Sequence, residues 1–210
     1  MIDIKNVSYT YGKEKIFNNF STFIKDGEFV VITGKSGSGK TTLLNIIGLL
    51  LRPQKGEVYI DEKKVISNKE TMLARRYQFG YIFQNYELLE NDTVKSNLLL
   101  ATKYNKSFKK ELIEEVLDKV MLPKSILKKK VCNLSGGEQQ RVAIARVLLK
   151  PCNIILADEP TGNLDGENAN IIMQLLIELN AQNKTIICAT HDKKFLDIAQ
   201  KCIDLDEIYV

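Results

Sequence analysis

Three short stretches gather side chains able to handle a phosphate group. The first is "GKSGSGKTT", residues 34–42, which fits G-x-x-x-x-G-K-[ST] at Gly34, Gly39, Lys40 and Thr41. Glycines at this spacing let successive backbone N–H groups turn inward around phosphate oxygens. A helix starting at the loop adds the positive end of its dipole. Lys40 would reach the β- and γ-phosphates, and Thr41 would offer its hydroxyl to Mg²⁺. A chance glycine-rich turn is the bland alternative. Against it, a strand-like "VVIT" precedes the loop and a helix-like run follows, the context that the phosphate-binding motif requires.

A phosphate loop needs a carboxylate for its metal, and "IILADEP" supplies one. Four apolar residues carry the chain through a sheet, after which Asp158 and Glu159 emerge at the carboxyl end of the strand, where ligands of open α/β sheets gather. Asp158 would hold Mg²⁺ through water. Glu159 is placed to polarise an attacking water as general base. His191, the single histidine of the chain, ends a second buried run, "TIICAT", and so should reach the same rim. There it would contact the γ-phosphate, or grip Glu159 and the water. Gln84 ends "YIFQ" in a similar edge position, in reach of Mg²⁺ or the water.

The third stretch is "NLSGGEQQR", residues 133–141. Its "SGGE" is an S-x-x-E capping box, with Ser135 capping a helix whose third position is Glu138. Read blandly, this is only a helix start. Yet two glycines just inside the cap leave amides bare beside a serine hydroxyl, which makes an anion site at a helix N-terminus. One nucleotide needs one cradle, so this second turn would serve a phosphate held by another copy of the chain.

The elements that must position these groups follow from pattern. The start reads as short strands: Ile2 and Ile4 alternate, "FNNFSTFIK" follows, and "KDGE" turns into "EFVVIT". Thr41 to Leu51 reads as a buried helix stopped by Arg52-Pro53. "GEVYID" and "QFGYIFQ" read as strands. From about residue 85 to 130 the pattern is helical, and "KKELIEEVLDKVM" puts Leu112, Val116, Leu117 and Val120 on one face. A helix from Ser135 to about Lys150, the strand "NIILAD", the helix "NANIIMQLLIELNAQ", the strand "KTIICAT", the short helix "KKFLDIAQ" and a terminal strand in "CIDLDEIYV" complete the chain. Apolar runs alternating with helices indicate parallel strands covered on both faces. The fold class is α/β: a nucleotide-binding core of mainly parallel sheet, an antiparallel β part at the start and an inserted helical block. Residues 1–84 and 151–210 form the catalytic core, and about 85–150 the helical subdomain.

Composition excludes other classes. With 210 residues and 44% hydrophobic content the chain can bury a core as one domain, and no internal repeat is visible. The net charge of +4 is spread along the chain, which argues against a nucleic-acid partner. The densest basic run, "LKKKV" at 127–131, reads as a solvated face. Four cysteines lack metal-like spacing, and Cys152 and Cys188 in apolar runs read as buried free thiols. No signal peptide opens the sequence, and the longest apolar run, "LLNIIGLLL", is far short of the ~20 residues a membrane span needs.

These motifs in this order resemble the ATP-binding subunits of ABC transporters. "LSGGEQQR" looks like that family's signature motif, and Tyr11, "GKSGSGKT", Gln84, "IILADEP", "GNLD" and His191 flank it in the family's order. The resemblance covers essentially the whole chain and implies the ABC ATPase fold, ATP and Mg²⁺, and a head-to-tail homodimer in the ATP-bound state. It implies that Tyr11 stacks on adenine and that Lys35, Ser36, Gly37, Ser38, Gly39, Lys40, Thr41 and Thr42 hold the phosphates. Thr41, Gln84 and Asp158 would hold the metal. Ser135, Gly136 and Gly137 would close over the opposite γ-phosphate, and Asp165 would sit at the dimer interface. The helical block would receive a coupling helix from a multi-span membrane permease, which puts the chain peripherally on the cytoplasmic face of the membrane. "NIIGLLLRPQKGEVYID", "FGYIFQNYELL" and "ADEPTGNLD" look most like the subgroup of macrolide and peptide exporters, lipoprotein extraction, bacteriocin export and cell division. Export of a peptide, drug or lipoprotein-type substrate is therefore expected. A force-transmitting complex without solute transport is the alternative. A soluble ATPase acting on DNA or ribosomes would carry a coiled-coil insertion or a second ATPase domain, and neither is present. Two departures stand out: Val131, Cys132 and Asn133 occupy positions where the family often has proline, and the chain stops at Val210 without a regulatory domain.

Overall fold

Alternating apolar residues put Ile2, Ile4 and Val7 of strand β1 (Ile2–Tyr11) on one buried face, opposite Phe17, Phe20 and Ile24 of β2 (Glu14–Ile24). The computed structural model describes residues 1–207. In it β1 and β2 pair antiparallel and join β4 (Lys55–Ile60) and the two-residue β5 (Lys63–Lys64) in a sheet of order β2-β1-β4-β5.

The second sheet is parallel throughout, in the order β6-β7-β8-β3-β9. Its strands are β3 (Phe29–Thr33), β6 (Phe79–Ile82), β7 (Ile154–Asp158), β8 (Thr185–Ala189) and β9 (Lys201–Asp204). Every residue of β7 and β8 is buried, as the unbroken apolar runs require of strands covered on both faces. Successive side chains divide between the faces. Ile154 and Leu156 pack with helix α1 (Lys40–Ile47) and the antiparallel sheet, while Ile155 and Ala157 pack with the helices beyond. Those helices are α3 (Val94–Thr102), α4 (Glu111–Lys119), α5 (Gly136–Leu148), α6 (Gly166–Ala181) and α7 (Lys193–Ile198). Leu43, Ile46 and Ile47 are fully buried on α1, each contributing about 1.5–3 kcal/mol through removal from water.

Three details differ from the sequence reading. The first helix ends at Ile47 and not at Leu51. Tyr81 donates its hydroxyl to the Gly48 carbonyl, and Leu49 takes a left-handed φ of 61°, so the chain turns off the helix axis before Arg52-Pro53 is reached. On α4, Ile113 is buried with Val116 and Leu117, while Leu112 is only half-buried. Finally, a helix that periodicity does not announce, α2 (Asn68–Tyr77), precedes β6. Ala74 is its one buried residue, so it has no apolar stripe, although Ser67 and Glu70 form a complete capping box. The terminal strand comprises Lys201–Asp204, and the last three residues of "CIDLDEIYV" lie outside the described residues. All four cysteines are free; Cys152 and Cys188 are buried, and burial pushes both thiols up.

Candidate active site

The phosphate loop leaves β3 at Gly34 and enters α1 at Gly39, both at positive φ (142° and 97°). A Cβ at Gly39 would stand 2.7 Å from Ile16 Cγ2, so the loop packs against β2 at the one place where no side chain fits. No side chain caps α1, which leaves its first amides open to an anion. Lys40 Nζ bends back into the loop and donates to the carbonyls of Gly34 (2.8 Å) and Lys35 (3.0 Å). Ser38 Oγ is buried without a partner. From the far end of the chain, the Asp206 carboxylate accepts the Lys35 N–H at 3.1 and 3.2 Å, a brace that no local signal announced.

Opposite the loop, the end of β7 delivers the acidic pair. Thr41 Oγ1 donates to Asp158 Oδ1 at 3.2 Å, joining residues 117 apart in sequence. Asp158 is 9% exposed, and burial raises its carboxyl above the usual value despite the Thr41 hydrogen bond. A buried carboxylate beside a hydroxyl is a hard-oxygen pair suited to a divalent cation, so these residues fit Mg²⁺. Glu159 follows with a left-handed φ of 44°, a strained state for a side-chain-bearing residue, held by its N–H to the Ala189 carbonyl at 2.8 Å. Its carboxylate meets His191 Nδ1 (3.0 Å, Oε1) and the Thr190 hydroxyl (3.3 Å, Oε2). Strand pairing Asp158↔Ala189 between β7 and β8 explains why Glu159 and His191 arrive together.

Ser36, Gly37, Gly39, Lys40, Thr41, Thr42, Gln84, Asp158 and Glu159 line one cleft of about 300 Å³, together with Ile16. Most of the expected residues thus share one cleft, Gln84 included, while Gly34 and His191 are not in its lining. Lys35 and Ser38 belong to the adjoining hollow with Glu14 and Asp206. Tyr11, 75% exposed, pairs across the hairpin with Glu14 and so stands at the edge of that hollow.

The signature turn is built as expected but elsewhere. Ser135 Oγ accepts the Glu138 N–H at 3.2 Å and Glu138 Oε2 accepts the Ser135 N–H at 2.9 Å. Ser135, Gly136 and Gly137 are not among the residues lining the cleft. Asp165 caps α6, accepting the Asn168 N–H at 2.9 Å. Sequence reasoning passed over Gln140, Arg141 and Asn168, which tie α5 to the segment carrying Glu159 and Asp165.

A larger cavity, about 590 Å³, lies away from this chemistry between α2, α3 and α5. Tyr81, Phe83, Leu100 and Tyr104 form its apolar wall, and Arg75, Arg76, Arg146 and Lys150 give it a basic rim. Its size does not make it the better phosphate site: the smaller cleft, with the open amides of α1 beside Lys40, offers convergent N–H groups together with a cation.

A family model described as "ABC transporter" matches residues 17–162. The macrolide export ATP-binding/permease protein MacB of Campylobacter jejuni is 41% identical over 212 residues, covering 99% of this chain and 33% of that protein. The chain thus spans about a third of the length of that relative. The ABC transporter ATP-binding protein MJ0796 of Methanocaldococcus jannaschii, itself uncharacterized by name, is 43% identical, with 99% of this chain and 94% of that one covered. A solved dimeric structure of MJ0796 superposes with a TM-score of 0.88 at 41% identity, covering 98% of this chain and 95% of that one. A post-hydrolysis dimer of the same cassette, bound to ADP and Pi, gives 0.86 at 40% identity over 97% and 94%. Matched by the family model over residues 17–162 and by a relative across nearly every residue of both chains, this chain belongs to the ABC transporter family as an ATP-binding domain.

Proposed function

We propose that this domain is the motor of an ABC exporter, in which two copies arranged head to tail close around two ATP molecules and part again after hydrolysis. The observation that carries the reading is the separation of two anion-binding turns within one chain. Lys40 and Thr41 line the cleft with Asp158 and Glu159, whereas the Ser135–Gly137 turn lies outside that lining, open to a nucleotide held by a second copy.

Each side chain has a task in that assembly. The open amides of α1 and the Lys40 ammonium bind the phosphates. Glu159, steadied by His191 and Thr190, orients a water and takes its proton. Tyr11 offers a face for adenine. Thr41 and Asp158, with Gln84 beside them, would hold Mg²⁺, which when bound neutralises charge on the phosphate oxygens. Ser135, Gly136 and Gly137 close over the opposite γ-phosphate, with Asp165 at the seam. Binding then draws the copies together and hydrolysis loosens them, a two-state cycle.

Among the described residues no helix is long and apolar enough to cross a membrane, and in this reading the motion is delivered to a membrane segment outside them. The aromatic, basic-rimmed groove between α2, α3 and α5 supports docking of a helix from a multi-span permease, with the chain on the cytoplasmic face. The groove lies where the helical subdomain, residues 85–150, meets α2 and β6 of the catalytic core, 1–84 with 151–210, so a docked helix would load both. The likeness to a macrolide exporter supports export of a drug, peptide or lipoprotein-type substrate.

The test is the ATPase rate per molecule as protein concentration rises. A shared site predicts a rate that climbs and then saturates. A rate that is flat from dilute solution upward would mean a self-contained site and no sandwich. Capture of a stoichiometric multi-span protein by the Glu159→Gln variant from solubilised native membranes in MgATP would identify the permease; recovery of a soluble homodimer alone would remove the transport reading.

A further inference from the structure

Beyond Ser135, Gly136 and Gly137, helix α5 carries two consecutive polar residues, of which Gln140 reaches the segment between β7 and α6 and Arg141 reaches the first turn of α6. Gln140 is 1% exposed, and its Nε2 donates to the Pro160 carbonyl at 2.7 Å, at the residue directly after Glu159. Arg141 Nη1 donates to Asn168 Oδ1, and Asn168 Nδ2 donates to both Asp165 oxygens at 3.0 and 2.9 Å. One helical turn before Arg141, Gly137 makes room for the same side chain: a Cβ there would stand 2.8 Å from Asn168 Cγ. The segment from Glu159 to Asp165 is therefore gripped at both ends by the helix that begins with the signature turn.

We propose that Gln140 and Arg141 are positioning residues, which hold Glu159 through Pro160 and Asp165 through Asn168, so that α5 aligns the general base of its own copy while its N-terminus meets the partner copy's nucleotide. Two physical facts support this. An amide buried beside Val142, Ala143 and Ile144 lowers stability relative to an apolar side chain, and Gln140 Oε1 has no partner, so core packing does not explain the residue. In addition, Glu159 sits at a φ of 44°, a state that persists only where the surroundings over-determine it. The Glu159 N–H to Ala189 restrains one side of that residue, and the Gln140 contact restrains the other. The link also gives the two nucleotide sites a physical connection, since one rigid helix touches both.

The inference rests on the ATPase reading above, and the experiment separates the two. Steady-state kinetics and MgATP-dependent dimerisation are measured for wild type, Gln140→Met, Arg141→Met and, as a control in the α4 core, Val116→Ala. Displacing a base by a fraction of its reach costs up to about 100-fold, so kcat of Gln140→Met should fall about 10- to 100-fold while KM for ATP moves less than about twofold. Because Ser135–Gly137 and Lys40 are untouched, the variant should still bind ATP and should accumulate the ATP-bound dimer, as a lost general base would. Arg141→Met should shift in the same sense. Val116→Ala should lower Tm and leave kcat within about twofold. If Gln140→Met does not fold, half-buried Arg141 decides the matter alone. Wild-type kcat in Gln140→Met and Arg141→Met, or an equal loss in Val116→Ala, overturns the proposal. A wild-type chain without ATPase activity overturns the underlying reading and the inference with it.

Discussion

His191 Nδ1 lies 3.0 Å from Glu159 Oε1, although 32 residues separate the two in sequence. The contact joins the exposed end of one buried strand to the end of its parallel neighbour, and the Thr190 hydroxyl takes the other carboxylate oxygen. The Glu159 carboxylate is thus held on both oxygens, which suits its proposed role as base, because a held base loses little entropy when it meets a water.

Glu159→Gln keeps the size and removes the proton acceptor. ATP affinity should be retained, turnover should fall about 10²- to 10⁴-fold, and an ATP-bound dimer should persist. His191→Ala should lower kcat less, since Thr190 still restrains the carboxylate. Single-turnover hydrolysis with gel filtration in MgATP reads both; a Glu159→Gln chain that turns over normally would remove Glu159 from the role of base.

Lys40→Ala removes the ammonium that now bonds the Gly34 and Lys35 carbonyls. The loop loses its cation for the phosphates along with an internal brace, so ATP binding by calorimetry should disappear while the circular dichroism spectrum is kept. Unchanged affinity would show that residues 34–42 are not the phosphate cradle.

Ser135 contributes twice, as a helix cap and as the hydroxyl of the signature turn. Ser135→Ala should cost about 0.5–2 kcal/mol through loss of the cap. Ser135→Arg should leave nucleotide binding by the isolated chain intact and prevent closure of the dimer. Normal steady-state hydrolysis in the arginine variant would exclude a site shared between copies.

Two carboxylates that accept helix-terminal N–H groups set an acid limit on the fold. The Asn168 backbone N–H, then its side chain, hold Asp165 below the usual carboxylate range, and the Ser67 and Ile66 N–H groups with the Ser67 hydroxyl do the same for Glu70. A lowered pKa in the folded state means the ionised form favours the fold. The stabilisation is complete above the ordinary values of 3.8 and 4.5 and is lost as pH falls through the lower folded values. Melting curves from neutral to acid pH should show the Asp165→Asn, Glu70→Gln double variant losing less on acidification than wild type. Parallel profiles would mean that neither carboxylate contributes.

How much could be read in advance follows from the range of each interaction. The strands β7 and β8 were legible because all their residues are buried, leaving unbroken apolar runs. Helix α2 was not, since Ala74 is its single buried residue, although Ser67 with Glu70 was a usable signal. The stop of α1 at Ile47 had a local signal in Gly48, the C-cap residue whose N–H bonds the Leu44 and Ile46 carbonyls, and only its contact with Tyr81 of β6 lay beyond the sequence. Gln140, Arg141 and Asp206 look like ordinary surface polar residues in sequence, and only their distant partners, Pro160, Asn168 and the Lys35 N–H, give them a role.

By itself the sequence determined the glycine-rich loop at 34–42 and the capped turn at Ser135, because each is a backbone shape specified by neighbouring residues, and it set the acidic pair at the end of the apolar run in "IILADEP". The tertiary structure decided which of these meet. Thr41 reaches Asp158, Glu159 reaches His191, and α5 carries its turn away from the cleft while gripping Pro160 and Asn168. Those meetings depend on the parallel order β6-β7-β8-β3-β9, which follows from burying both faces of the sheet at once, a condition set by the whole core and by no single stretch of chain.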